Sequence, residues 1–179
     1  MEDQIIETER LVLRMFTQET LDELFKQPDL FIKNYLGLES DEELVIEKER
    51  YVAGYKTFNK SFVWFYILFK DSKNVVGWCG YHTWYIHHNR AEIGYGLISD
   101  EFKNQGIMSE AIVPIINYGF DEMKLHRIEA FVGPDNKASL HLIRKMGFNE
   151  EGRLKEHYYT NDRYEDSVVF GLLSQDWRN

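Results

Sequence analysis

The stretch Lys103-Asn104-Gln105-Gly106-Ile107-Met108 joins a glycine-bearing apolar run to a long segment with helical apolar spacing. Such a turn suits an anion. The first N–H groups of a helix have no partner within it, and the helix dipole adds partial positive charge there. A pyrophosphate fits that arrangement, and Gly106 would let the backbone approach it with no side chain in the way. A polar turn with one glycine is also an ordinary strand-to-helix connection, so this stretch alone decides nothing. Glu92, in the apolar run, is a carboxylate able to act as a general base, directly or through water. Its alternative role is an ion pair with Arg90 or Arg127. The histidines do not suggest a metal site: His87 and His88 would point apart on a strand. None of His82, His126, His141 or His157 has ligand spacing to another histidine or to Cys79. Cys79, within Val75-Val76-Gly77-Trp78-Cys79, reads as a core thiol.

The elements that position these residues follow from periodicity. Leu11, Leu13 and Met15 alternate with Arg10, Val12 and Arg14, as in a half-buried strand. Two acidic helical segments are expected at 18–27 and 40–56. The β-rich runs 62–69 and 75–83 are separated by the hairpin-like Lys70-Asp71-Ser72-Lys73-Asn74. The run 91–98 is the next strand, and its Gly94 and Gly96 suggest a bulge or the close approach of a ligand. Met108, Ala111, Ile112, Ile115, Ile116, Gly119 and Met123 form one helical stripe, which Pro114 should kink. A strand at 127–132 precedes a helix at 138–146, capped by Asp135 or Asn136 and stopped by Gly147. Strands at 153–160 and 163–172 close the chain, joined at Asn161-Asp162. The order β-α-α-β-β-β-α-β-α-β-β predicts an α/β (α+β) fold with a mixed, mostly antiparallel sheet and helices on both faces.

Composition narrows the function classes. With 179 residues, 44% hydrophobic and 15% aromatic, the chain can build one core, and we expect a single domain over 1–179. A net charge of −9 disfavours a nucleic-acid-binding face. No run approaches the ~20 apolar residues of a membrane helix. Met1-Glu2-Asp3-Gln4 lacks the basic start of a signal peptide, and one cysteine allows no internal disulfide. A cytoplasmic protein is the expectation. Residues 1–50 carry 6 Lys/Arg against 14 Asp/Glu, and residues 101–150 carry 6 against 7. The acidity is therefore concentrated at one end, away from the polar turn.

Several spaced motifs, in order, resemble the GNAT family of acetyltransferases, and within it the subgroup that acetylates ribosomal-protein N-termini. They are Thr8-Glu9-Arg10-Leu11-Val12-Leu13-Arg14, Glu92-Ile93-Gly94-Tyr95, Asn104-Gln105-Gly106-Ile107-Met108-Ser109-Glu110-Ala111, Asn136-Lys137-Ala138-Ser139, Lys145-Met146-Gly147-Phe148 and Glu151-Gly152. The resemblance implies acetyl-CoA as co-substrate, without a metal. It implies that the backbone amides of Lys103, Asn104, Gln105, Gly106, Ile107 and Met108 hold the pyrophosphate. The pantetheine arm would lie against Gly96, Leu97 and Ile98, with Asn136 bonding it, where the fourth and fifth strands splay apart. Many family members place an acidic tyrosine four residues before the Gly-Phe pair. Ile143 stands there, and Ser139 is the implied substitute, although a first-turn serine also commonly bonds its own helix. Tyr158 stands where some ribosomal-protein enzymes carry a basic glutamate. The expected acceptor is an amine, on a protein N-terminus or a small molecule, including a cationic peptide or a polyamine. No nucleic-acid or membrane partner is expected, and the reading admits a homo-oligomer. The alternatives are a CoA-binding module without turnover and, from aromatic richness alone, a structural subunit.

Overall fold

A computed structural model describes residues 4–38, 40–54, 61–160 and 162–177. Asn161, residues 55–56 of the second expected helix, and residues 1–3 lie outside the described residues. Strand β2 (Leu11–Phe16) keeps its alternation: Leu11 and Leu13 are fully buried, and Arg14 takes the other face. A short β1 (Ile5–Glu7) pairs with it. Strands β3 (Ser61–Phe69) and β4 (Val75–Tyr85) form the expected hairpin, and β5 (Arg90–Leu97) adds to β4 antiparallel. Helix α4 (Ile107–Asp121) crosses over to β6 (Arg127–Val132), which pairs with β5 in parallel. Helix α5 (Lys137–Lys145) leads to β7 (Asn149–Thr160) and β8 (Arg163–Leu173), and β8 inserts between β6 and β7. The eight-stranded sheet runs β1-β2-β3-β4-β5-β6-β8-β7, with one parallel pair among antiparallel ones.

Alternation along the strands sorts the helices onto two faces. Leu11, Leu13, Phe65, Ile67, Tyr81, Ala91 and Ile93 share a core with Ile107, Ala111, Ile112, Ile115 and Ile116 of α4 and Leu142 and Ile143 of α5. Phe16 and Phe62, flanked by Trp64 and Tyr66, pack instead against α1 (Gln18–Leu24), α2 (Asp29–Leu36) and α3 (Asp41–Ala53). Three helices thus stand where two were expected. The missed α2 follows Pro28, whose fixed φ suits a helix start. Pro114 does not break α4. Burial of Ile112, Ile115 and Ile116, about 1.5–3 kcal/mol each, outweighs the roughly 3 kcal/mol that an internal proline costs. His87 and His88 lie in a 3₁₀ turn rather than a strand. The four-residue α6 (Ser174–Trp177) ends the described chain.

Candidate active site

Strands β5 and β6 pair only at Arg90↔Arg127, Ala91↔Ile128 and Glu92↔Glu129. Beyond that point β5 stays on β4 as far as Leu97, and β6 stays on β8 as far as Val132. Each strand keeps its outer neighbour and leaves the inner one, so the sheet opens. Unpaired strand edges need hydrogen-bond partners, and the gap offers them to a ligand.

On the α4–α5 side the gap widens into a cavity of about 520 Å³. Its walls include Tyr95, Gly96, Leu97, Lys103, Asn104, Gly106, Ile107, Met108, Asn136 and Ser139, residues scattered in sequence and brought together here. Gly106 is the N-cap of α4 at φ +74°, a conformation that side chains disfavour, and the preceding Asn104 is also left-handed at φ +59°. Two expectations need correction. The Lys103 N–H is already donated to the Asp100 carbonyl and its ammonium pairs with Asp100, so the free amides begin after it. Ile98 donates to the Val76 carbonyl and lines a different groove, beside Arg14 and Lys33. Gly94 and Gly96 also have a structural reason: a Cβ on them would lie 2.6 Å from His82 Nδ1 and 3.0 Å from Trp78 Nε1.

Asn136 caps α5 by accepting the Ser139 N–H through Oδ1 (3.1 Å), which leaves its amide NH₂ for a ligand. Burial pushes the Tyr95 phenol up to about 12, and Ser139 is the neighbour that opposes the shift. The Tyr95 hydroxyl is buried without a closed hydrogen bond. Tyr95 and Ser139 thus face each other at the throat of the gap. Ile143 is fully buried in the core.

A second cavity of about 190 Å³ shares Tyr95, Asn136 and Ser139 with the first and adds Trp78, His82, Glu92, Phe131 and Val132. Glu92 and Tyr95 are three residues apart and point to opposite faces, so the two cavities lie toward opposite faces of the sheet and share the residues at the gap. Glu92 does not pair with arginine. Arg90 and Arg127 both bond Glu129, its neighbour on β6, and Arg127 also holds Glu151. Glu92 Oε1 instead lies 3.0 Å from His82 Nε2 and accepts from the Tyr158 hydroxyl (3.3 Å), and neither contact uses Oε2. His82 is the extra residue of a β4 bulge between Tyr81 and Thr83, which turns it toward Glu92. The Tyr158 phenol is raised to about 12, first by burial and then by Glu92, so it donates a hydrogen bond and is no base near neutral pH. His82 and Tyr95 were not picked out as site residues from the sequence, because only the bulge and the gap join them to Glu92 and Ser139.

Residues 10–149 match the family described as "Acetyltransferase (GNAT) domain". The chain is 35% identical over 175 residues to the uncharacterized N-acetyltransferase YoaA of Bacillus subtilis, covering 94% of this chain and 96% of that protein. It is 31% identical over 90 residues to spermidine N(1)-acetyltransferase of Escherichia coli, covering 50% and 48%. It is 26% identical over 187 residues to [ribosomal protein uS5]-alanine N-acetyltransferase of E. coli, covering 95% and 91%. Among solved structures, ribosomal-protein-S5-alanine acetyltransferase from Vibrio fischeri superposes with a TM-score of 0.67 at 22% identity, covering 99% and 100%.

Proposed function

Because the chain belongs to the GNAT family of N-acetyltransferases, we propose that it joins acetyl-CoA and a primary amine across the gap between β5 and β6. The observation that carries this reading is the pair of cavities that share Tyr95, Asn136 and Ser139 at the gap, one beside the α4 loop and the other holding Glu92, which together would give a passage through the sheet. The free amides from Asn104 to Met108 would receive the pyrophosphate, and the open edge of β5 at Gly96 and Leu97 the pantetheine arm. The thioester carbonyl then reaches the throat beside Tyr95 and Ser139. The amine enters past Trp78 and Phe131, gives a proton to Glu92 directly or through water, and attacks the carbonyl carbon. A C–N bond forms, the oxyanion collapses with loss of the C–S bond, and the surplus proton still on the attacking nitrogen passes to the departing sulfur, yielding an amide and CoA thiol.

The acceptor's acidity sets the demand on Glu92. An α-amine, with a pKa of about 7.7–8.0, is roughly a tenth neutral at pH 7, whereas a lysine-like amine near 10.4 is neutral about once in ~2,500 molecules. The latter costs about 3–4 kcal/mol more and needs a base throughout. Relatives that act on a ribosomal-protein alanine and on spermidine make both a protein N-terminus and a polyamine candidate acceptors. Thiol release from acetyl-CoA across a panel of peptides and polyamines tests the reading, with Glu92→Gln run beside the wild type. We expect amine-dependent release that falls about 100-fold or more in Glu92→Gln. Release by no amine, or equal release by both proteins, contradicts it.

A further inference from the structure

The turn between β1 and β2 reaches across to the first turn of α4, a hundred residues later in the chain. Glu110 Oε1 accepts from the Thr8 hydroxyl (2.6 Å) and the Arg10 N–H (2.8 Å), while its Oε2 accepts from Arg10 Nε (2.7 Å). Arg10 Nη2 goes on to donate to the Gln105 carbonyl (3.1 Å). One guanidinium therefore ties the helix carboxylate to the loop that precedes the helix. In a trans peptide the C=O and N–H point in opposite directions. Fixing the Gln105 carbonyl on Arg10 thus turns the Gly106 N–H the other way, toward the cleft. Arg10 lies behind the loop: its Nη2 is the atom that a Cβ on Gly106 would meet, at 3.6 Å.

The charges argue the same way. Glu110 is an acidic residue at the positive end of α4, where it would compete with a phosphate for the helix N-terminus. Burial alone would raise its carboxyl, but the bonds from Thr8 and Arg10 outweigh burial and hold it below the ordinary value. With Arg10 in place its charge is answered on the side away from the cleft.

We propose that Thr8, Arg10 and Glu110 form a latch that orients the loop amides toward the pyrophosphate, making them positioning residues for the acyl donor. The proposal rests on the reading that this loop receives the pyrophosphate. It is tested by measuring affinity for acetyl-CoA and for S-acetylpantetheine, which has the thioester arm and no phosphate. The wild type should strongly prefer acetyl-CoA. Arg10→Ala should weaken acetyl-CoA about tenfold and leave S-acetylpantetheine unchanged, and Arg10→Lys should restore part of the loss. If Arg10→Ala does not fold, Glu110→Gln gives the second reading, with the same loss of preference. A folded variant with the wild-type preference, or one that loses both ligands alike, overturns the latch. A wild type without preference overturns the loop reading together with it.

Discussion

Glu92 stands in a row of charges whose other members are neutralised. Glu129 is held by two arginines and Glu151 by Arg127, whereas among the described residues Glu92 meets only His82 and Tyr158. That leaves it the carboxylate best placed to take a proton from an incoming amine. At the throat the magnitudes separate two roles. A phenol near 12 giving its proton outright to a thiolate whose parent thiol is near 8.5 is uphill by about 5 kcal/mol. In the proposed reaction Tyr95 and Ser139 would therefore act as hydrogen-bond donors to the charge that develops on sulfur, rather than as full acids. Such bonds strengthen in the transition state, so Tyr95→Phe should lower kcat by roughly tenfold to a hundredfold with acetyl-CoA affinity unchanged. Ser139→Ala should act in the same direction. Steady-state kinetics beside calorimetry check this. Equal losses of kcat and affinity would make the pair a binding element, and unchanged kcat in both variants would remove it from the chemistry.

At the scale of elements, two bulges set the acceptor mouth. Between Leu154 and Tyr158 strand β7 carries extra residues, and Glu156 turns into the left-handed region at φ +49°. Asp166 of β8 fills the bulge, accepting from the Glu156 N–H (2.8 Å) and Arg153 Nε (2.7 Å), and Tyr158 emerges pointed at Glu92. The Glu156 N–H first, then Arg153, lowers the Asp166 carboxyl. A lowered carboxyl contributes stability above its unfolded value, near 3.9, and loses it as pH falls through the folded one. The anchor should then hold at neutral pH and weaken below about pH 4. Asp166→Ala should release it at neutral pH, lowering kcat several-fold while acetyl-CoA affinity stays. A variant with full turnover would show that the bulge does not matter to the site. The same bulges explain what sequence could show. The donor turn was readable because backbone groups in one contiguous stretch build it. Gly106 was evident for the same local reason, and the cap of α5 was narrowed to Asp135 or Asn136, of which Asn136 fills the position. The partners of Glu92 were not, since the bulges at His82 and before Tyr158 break the period of two by which strand neighbours are inferred. Arg90 and Arg127, the cations expected beside Glu92, bond Glu129 instead. Tyr95 stood within a noticed motif, but its relation to Ser139 exists only through the gap.

Across the whole molecule, the sheet separates donor from acceptor. The cleft lies with α4 and α5, while Glu92 faces the side of α1, α2 and α3. Most of the described acidic residues of 1–50 lie on α1, α2 and α3, on that second side, but much of this acidity is internally answered. Asp29, Asp41, Glu23 and Glu47 pair with Lys48, Lys33, Lys26 and Arg50, and Glu43 caps α3 at Ser40. Steering of a cationic acceptor is therefore weaker than the charge count suggests. Cys79, the chain's one cysteine, is fully buried, and burial pushes its thiol far up, so it cannot carry the acetyl group. In the proposed reading donor and acceptor enter from opposite faces and meet at the throat, so both would be bound when the acetyl group moves. Initial rates measured while acetyl-CoA and an active amine are varied together test that claim most directly. The passage through the sheet predicts intersecting double-reciprocal lines and no thiol release without the amine. Parallel lines, with a burst of thiol from acetyl-CoA alone, would contradict it.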